Sequence, residues 1–141
     1  MAAIINVCVD PRLDHEVIRA QVRARLERLR LPAERIVITS DVGGNVGSAF
    51  RGTAELALKN GEAVVLAAVL HHDDCVAERL ALRKPLAESV EAVRRVLREL
   101  KVDARVLSGT LRTESSALRW ADEPAPRYEV LTFRMPRPFG A

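Results

Sequence analysis

The chain has 141 residues, 48% of them hydrophobic and 4% aromatic, which suits one domain with an aliphatic core and argues against wholesale disorder. Its 22 basic and 19 acidic residues are interspersed and give a net charge of +3, a pattern of solvated helix faces that argues against a nucleic-acid partner. The N-terminus lacks the pattern of a signal peptide, and the longest apolar run, residues 63–70, is too short to span a bilayer. We therefore expect a cytoplasmic protein with no membrane partner, in which two cysteines indicate metal binding or redox chemistry.

The first half of the chain alternates between strand and helix patterns. Residues 3–9 are rich in Ile and Val and predict a strand buried on both faces, which the Asp-Pro pair at 10–11 ends. Residues 13–31 carry apolar side chains at helical spacing up to Pro32. A short strand at 36–39, a glycine-containing turn at 41–48, a helix at 49–58 and an apolar strand at 63–70 follow.

The second half continues this alternation and then becomes less regular. A short helix is predicted to end near residue 82, Pro85 opens an amphipathic helix to residue 100, and residues 104–107 predict a fourth strand. Residues 111–120 and 128–133 predict two further strands around a proline-rich turn at 122–126. We expect a single domain over residues 1–135 and a loose tail at 136–141.

This β-α-β-α-β-α-β order predicts an α/β fold, with a mainly parallel central sheet flanked by helices on both faces. Ligands of such sheets bind beyond the carboxyl ends of the strands, where the strand order reverses. With a strand order of 2-1-3-4, strands 1 and 3 are neighbours at that point. Cys8 ends strand 1, and His72 and Cys75 follow strand 3, so these groups are expected to meet at one crevice.

Cys8, His72 and Cys75 together indicate a zinc site. Thiolate and imidazole suit zinc, and three protein ligands with an open fourth position are the usual catalytic arrangement. Asp10 and Arg12 alternate with Cys8, so an extended chain would send all three side chains to one side. An Asp paired with an Arg stays ionised and either accepts a hydrogen bond at the metal or ligates it.

These residues resemble the motifs of the β-class carbonic anhydrases. Residues 8–12 read Cys-Val-Asp-Pro-Arg and are similar to the family motif Cys-x-Asp-x-Arg. Residues 72–75 read His-Asp-Asp-Cys and are similar to the second motif, His-x-x-Cys. The turn at 40–44 falls where the family has an Arg-Asn-Ala-Gly-type loop, and Arg51 also looks like a family position.

The resemblance implies zinc held by Cys8, His72 and Cys75, with reversible hydration of CO2 to bicarbonate by attack of a zinc-bound hydroxide. It implies that Asp10 and Arg12 form the catalytic pair that orients this hydroxide. It also implies a homodimer or larger homo-oligomer. Five further residues are expected to shape the pocket: Ser40, Asp41, Gly43, Gly44 and Asp74.

Three features depart from the family pattern. Strand 1 begins almost at Met1, so we expect the N-terminal helical arm of the family to be missing. Val76 stands where the family has Gly after the second Cys, and Ser40 and Asp41 replace the Arg-Asn of the loop. These changes bear on dimer packing, on pocket shape and on the charge near the site.

Other interpretations of the same residues stay open. Carbonyl sulfide and carbon disulfide hydrolases resemble the same family and use the same ligands. A zinc-stabilised binding or regulatory module, with Asp10 permanently on the metal, would not be an enzyme. A redox switch between Cys8 and Cys75 would leave His72, Asp10 and Arg12 without a role. Asp73 is expected to be a helix N-terminal acid, and His71 a capping or core histidine.

Overall fold

The computed structural model describes residues 1–124, and the predicted strand at 128–133 and the tail at 136–141 lie outside this range. The strands are β1 (Ala2–Cys8), β2 (Arg35–Asp41), β3 (Val64–His72), β4 (Arg105–Leu111) and β5 (Leu118–Trp120). The helices are α1 (His15–Leu29), α2 (Ser48–Lys59), α3 (Val76–Arg79) and α4 (Leu86–Glu99), with a 3-10 turn at Val42–Gly44 after β2. None of the helices in this range is long and apolar enough to cross a membrane.

The strands form one sheet in the order β2-β1-β3-β4-β5. The first four are parallel, and β5 returns antiparallel to β4. The predicted order 2-1-3-4 is therefore confirmed, with one added C-terminal strand. Because β1 and β3 are neighbours and their helices cross on opposite faces, the carboxyl ends of these two strands open a crevice between them.

The core lies in two layers, one on each face of the sheet. Helix α1 packs on one face through Ile18, Val22 and Leu26, which meet the β1 side chains Ile5 and Val7. The other face is covered by α2 and α4, whose contributions to the core are Phe50, Ala54, Ala57, Val93 and Leu97. The central strands β1 and β3 are thus buried on both faces, as their largely apolar sequences predict.

Several element boundaries differ from the prediction. β3 extends to His72, so this histidine ends the strand instead of following it. The predicted strand at 111–120 is wrong, because Leu111 ends β4 and residues 112–117 turn the chain back into the three-residue β5. The periodicity of apolar side chains does not reveal that these strands continue through polar residues. Backbone groups pair in the sheet whatever side chain the residue carries.

Candidate metal centre

Cys8, His72 and Cys75 converge at the carboxyl edge of the sheet. Cys8 is the last residue of β1, His72 is the last residue of β3, and Cys75 is the cap residue at the start of α3. The two sulfur atoms and a ring nitrogen of His72 all lie within 4.8 Å of one another, and all three residues are buried. The predicted ligand set is therefore brought together by the neighbouring strands β1 and β3.

The hydrogen bonding of His72 fits a metal ligand. Its Nδ1 lies 2.8 Å from Thr113 Oγ1, whereas its buried Nε2 has no hydrogen-bond partner among residues 1–124. A buried polar atom without a partner is costly. A metal ion beside the two sulfur atoms would supply the partner that Nε2 lacks, so the donor set fits zinc.

The two cysteines are free thiols in a buried setting. Burial raises the pKa of the Cys8 thiol, and the neighbouring Cys75 adds to this rise. Hydrogen bonds from the backbone N–H groups of Asp10 and Gly43 to the Cys8 sulfur act in the opposite direction. A dication in the same place would favour both thiolates strongly, because ligating thiols are deprotonated by the metal.

The neighbouring histidine, His71, is buried without belonging to this cluster. Its side chain is 5% exposed and lies beside the backbone of Gly44. Burial lowers the pKa of His71 to about 4, and the nearby Arg83 adds to this shift, so the ring is neutral at neutral pH. This agrees with the expectation that His71 is a core histidine, because successive residues of a strand point to opposite faces.

Asp10 and Arg12 form a bidentate ion pair next to His72. Arg12 donates from Nε to Asp10 Oδ1 at 3.1 Å and from a terminal nitrogen to Oδ2 at 2.7 Å. Asp10 Oδ2 lies 3.9 Å from His72 Nε2. The guanidinium of Arg12 lowers the pKa of Asp10 to about 2, so this carboxylate is ionised at neutral pH.

The chain geometry that produces this pair differs from the predicted one. β1 ends at Cys8, and residues 10–13 form a turn in which Leu13 N–H bonds to Asp10 O at 3.1 Å. The backbone N–H of Arg12 also donates to Asp10 Oδ1 at 2.9 Å. The prediction of an extended alternation through 8, 10 and 12 is therefore wrong, and an Asp-initiated turn folds Arg12 back onto Asp10.

Asp74 holds the far side of Arg12. Its Oδ2 accepts a hydrogen bond from Arg12 at 2.9 Å, and its backbone carbonyl accepts another at 3.0 Å. Asp74 has a positive φ of 48°, in the left-handed region, which brings its carbonyl and its side chain to the same partner. The segment between His72 and Cys75 thus anchors the arginine of the Asp10–Arg12 pair.

The predicted pocket residues of the 40–44 turn lie partly in β2 and partly in the turn that follows it. Ser40 and Asp41 end β2, and Asp41 Oδ1 accepts a hydrogen bond from Val42 N–H at 2.8 Å. Gly43 and Gly44 follow with φ of 66° and 72°, a conformation that favours glycine. A Cβ on Gly44 would meet Leu70 O at 3.3 Å and Cys8 N at 3.5 Å, so this turn lies directly against the ends of β1 and β3.

Asn6 fixes the position of this turn, and its role was not among the sequence-based predictions. It is fully buried in β1, its Nδ2 donates to Gly44 O at 2.8 Å, and its Oδ1 accepts from Thr39 at 2.7 Å. Asn45 continues the connection, since its side chain bonds Leu82 O at 2.7 Å and Lys84 N at 2.9 Å. A polar residue in an otherwise apolar strand was the available signal, because a buried amide requires partners.

A cavity of about 490 Å³ opens beside Cys8 and the Asp10–Arg12 pair. Gly43 is the one predicted pocket residue in its lining; Ser40, Asp41, Gly44 and Asp74 do not line it. Its other lining residues are largely apolar and come from the β1 end, the 42–43 turn and the α3 region: Val9, Pro11, Val42, Val76, Ala77, Arg79, Leu80 and Leu82. Of the three donors, Cys8 lines this mostly apolar opening beside the Asp10–Arg12 ion pair, whereas His72 and Cys75 do not line it.

Neither the comparison with protein-family models nor that with curated protein sequences finds a match. Solved structures do match: the β-carbonic anhydrase CcaA aligns with a TM-score of 0.51 at 16% identity, over 85% of this chain and 79% of its own. A carbonic anhydrase from Streptococcus mutans aligns at 0.49 and 18% identity, over 85% and 81% of the two chains. A carbon disulfide hydrolase aligns at 0.45 and 14% identity, over 90% and 81%. At such identities the likeness concerns the fold, and this chain has a β-carbonic-anhydrase-like fold, as its two motifs predicted.

Proposed function

We propose that this protein is a zinc enzyme that hydrates CO2 reversibly to bicarbonate. The observation that carries the proposal is the meeting of two buried thiols and a ring nitrogen of His72 within 4.8 Å, together with a buried His72 Nε2 that has no hydrogen-bond partner among residues 1–124. The carboxylate of Asp10 stands 3.9 Å from that nitrogen. A donor set with an ionised acceptor beside it is the arrangement that metal-assisted hydration needs.

Zinc is the metal that we propose for this site. Two thiolates and one imidazole form a borderline-soft set that selects zinc over harder cations such as Mg²⁺. Zinc bound by such a set supplies a Lewis acid that lowers the pKa of water to about 7 and so provides a nucleophile at neutral pH. Cys8, His72 and Cys75 would hold the ion, and all three are buried.

Asp10 and Arg12 are proposed to orient the nucleophilic water. Because Asp10 is ionised and acceptor-only, a water next to it must direct a proton towards the carboxylate, which aims its lone pair elsewhere. Arg12 holds Asp10 through both carboxylate oxygens and is itself held by Asp74. The pair is therefore preorganised before substrate arrives, which removes a reorganisation cost from the reaction.

The apolar wall of the cavity suits a small, uncharged, linear substrate. Val9, Val42 and Val76 line it together with the leucines of the α3 region. CO2 needs little more than an apolar approach to the nucleophile. The same wall would admit carbonyl sulfide or carbon disulfide, so hydrolysis of these sulfur compounds is the second candidate activity.

A non-catalytic zinc module is a further alternative, with Asp10 as a fourth metal ligand. The bonding of Asp10 argues against it. Oδ1 accepts from Arg12 N and Nε, and Oδ2 accepts from a terminal nitrogen of Arg12. Ligation by Asp10 would have to break a bidentate charge-assisted pair, which is among the stronger kinds of protein hydrogen bond.

The test combines metal content, coordination and activity. We expect about one zinc per chain and CO2 hydration in stopped-flow assays of the zinc-loaded protein. Cys75→Ser should lose both the ion and the activity. Asp10→Asn should keep the ion, because Asp10 is not a proposed ligand, but should lose about 10²-fold in activity, as expected for loss of an acid–base partner. X-ray absorption of the loaded protein should show two sulfur ligands.

Each alternative has its own outcome in this experiment. A folded, zinc-loaded protein that does not hydrate CO2 would overturn the proposed activity. Hydrolysis of carbonyl sulfide or carbon disulfide without CO2 hydration would favour the second candidate. Loss of zinc in Asp10→Asn would favour the closed site of the non-catalytic module.

We also propose that the protein forms a homodimer that covers the mouth of the cavity. Five apolar side chains at this mouth are between 46% and 63% exposed: Val9, Val42, Val76, Leu80 and Leu82. We refer to these five residues as the cavity-mouth patch. A contiguous exposed apolar patch of this kind marks an association surface more often than a free one.

A further inference from the structure

One ring nitrogen of His72, Nδ1, contacts the loop between β4 and β5. His72 Nδ1 lies 2.8 Å from the hydroxyl oxygen of Thr113. Thr113 is 5% exposed, and its hydroxyl also contacts Asp73, the residue after His72. The proposed ligand is therefore linked to a buried side chain 41 positions further along the chain.

The protons around this hydroxyl can be assigned from the chemistry of its neighbours. Thr113 Oγ1 lies within hydrogen-bond reach of the Asp73 backbone carbonyl and, at 2.7 Å, of Asp73 Oδ1. Both of these atoms only accept hydrogen bonds, so the single hydroxyl proton of Thr113 points to Asp73. The oxygen then accepts a hydrogen bond from His72 Nδ1–H.

The opposite assignment is disfavoured electrostatically. If Thr113 donated to His72 Nδ1, the lone pairs of its buried hydroxyl would face both acceptor atoms of Asp73. Such acceptor–acceptor contacts are repulsive and leave the buried hydroxyl oxygen without a donor, which is costly. Asp73 is also held by Thr113 N–H, which donates to Oδ1 at 2.7 Å, so it cannot turn away without a second loss.

We infer that Thr113 and Asp73 are positioning residues that hold His72 as the Nδ1–H tautomer, with the Nε2 lone pair directed at the two cysteine sulfur atoms. The inference rests on the metal site of the proposed function and extends it to two residues outside both motifs. A histidine ligand whose second nitrogen donates to a fixed acceptor is oriented and made more basic. Substitution of such a partner typically weakens metal binding by about 10–100-fold.

A purely structural role is the alternative. Asp73 N–H donates to Leu111 O at 3.1 Å, and Thr113 N–H donates to Asp73, so these residues also tie the β4–β5 loop to the end of β3. A structural tie would affect stability without selecting a tautomer of His72. The experiment must therefore read the imidazole itself as well as the metal.

The test uses Thr113→Val, which removes the hydroxyl at nearly constant volume, and Thr113→Ser, which keeps it. Thr110→Val is the matched control, because Thr110 is an exposed threonine in β4 that makes no hydrogen bond to His72. The first readout is the pair of imidazole ¹⁵N shifts of His72 in the reduced, metal-free full-length chain. The second is the affinity for Zn²⁺ in competition with a chromophoric chelator, with Co²⁺ absorption reporting the ligand set.

We expect the wild type, Thr113→Ser and Thr110→Val to show a protonated Nδ1 and similar zinc affinities. Thr113→Val should lose the Nδ1–H preference and bind zinc about 10–100-fold more weakly. Asp73→Ala should give a smaller loss in affinity, because the Asp73 backbone carbonyl still accepts the hydroxyl proton. Thermal unfolding of each metal-free variant separates these effects from a loss of folding.

An unchanged tautomer together with unchanged affinity in a folded Thr113→Val would overturn the inference while leaving the proposed zinc enzyme intact. An Nε2–H tautomer in the metal-free wild type would also overturn it. A wild-type chain that binds neither Zn²⁺ nor Co²⁺ would instead contradict the proposed function. The imidazole shifts would still decide whether Thr113 sets the tautomer.

Discussion

Arg12 is the residue on which the charged part of the site depends. It contacts two carboxylates, Asp10 and Asp74, and the second of these belongs to the loop that carries Cys75. These hydrogen bonds raise the pKa of Arg12 further above its already high value, and the bond to Asp10 has the larger effect. One guanidinium thus joins the two motifs, although its side chain is 46% exposed.

The geometry of Arg12 predicts that lysine cannot replace it. An ammonium group presents a single point charge and cannot bridge both oxygens of Asp10 and reach Asp74 at once. We expect Arg12→Lys to bind zinc normally and to lose about 10²-fold in kcat/KM for CO2 hydration. Zinc titration and stopped-flow hydration of the same sample test this.

Arg94→Lys is the matched control, since within residues 1–124 the ion pair of Arg94 on α4 is a long 3.6 Å contact with Glu91. It should leave both zinc binding and hydration unchanged. Full activity in Arg12→Lys would show that charge alone, and not the bidentate geometry, is what Asp10 requires.

At the scale of elements, the turn after β2 determines the wall behind Cys8. Gly43 has a φ of 66°, and a Cβ there would lie 2.9 Å from Arg83 Cβ and 3.2 Å from Ala77 Cβ. The turn, α3 and the chain that follows α3 are therefore packed too closely for any side chain at this position. This close approach also brings the backbone N–H of Gly43 to the Cys8 sulfur.

Gly43→Ala should therefore destabilise the fold. A left-handed conformation costs a non-glycine residue about 1–2 kcal/mol, and overpacking adds a similar amount, so we expect a loss of about 2–4 kcal/mol. Urea unfolding of the metal-free protein measures it. The matched control is Gly52→Ala in α2, where a Cβ meets nothing within 4 Å.

The control should move in the other direction. Alanine in an exposed helix interior is expected to stabilise by about 0.5–1 kcal/mol relative to glycine. A neutral Gly43→Ala variant would mean that Arg83 and the following loop move aside, and that the turn is not a fixed wall.

At the scale of the whole molecule, the cavity-mouth patch places exposed apolar area beside Cys8 and the Asp10–Arg12 pair. Val76, which stands where the resembled family has glycine, adds a half-exposed apolar side chain to that patch. Ile and Leu side chains elsewhere in β1 and β3 are covered by helices on both faces. The asymmetry leaves one edge of the fold suited to association with a second copy.

The proposed dimer predicts that one charge in the patch dissociates it. Leu80 is 63% exposed, and Leu80→Glu would place a carboxylate in the contact, whose desolvation is costly. We expect a dimeric wild type and a monomeric variant in sedimentation velocity. Leu56→Glu is the matched control, because Leu56 is 59% exposed on α2, outside the patch.

Two results would contradict the dimer. A monomeric wild type at assay concentrations would remove it altogether. Dissociation by Leu56→Glu, with Leu80→Glu unaffected, would move the interface to the face of the molecule that carries α2.

The sequence by itself determined the parallel sheet and the proposed ligands. Apolar runs buried on both faces indicate parallel strands, and with the strand order 2-1-3-4 the ends of β1 and β3 are neighbours, so Cys8 and His72 were expected to meet. The motif spacing placed Cys75 beside them and paired Asp10 with Arg12.

Only the tertiary structure decided what surrounds them. Thr113 reaches His72 because β4 pairs with β3 and ends at Leu111, and no local pattern around residue 113 reports that pairing. Asp73 bonds to Thr113 instead of serving simply as a helix acid, and Asn6 holds the glycine turn from the middle of an apolar strand. Periodicity records which face a side chain takes, whereas hydrogen-bond partners across a sheet depend on register between distant segments, which periodicity does not contain.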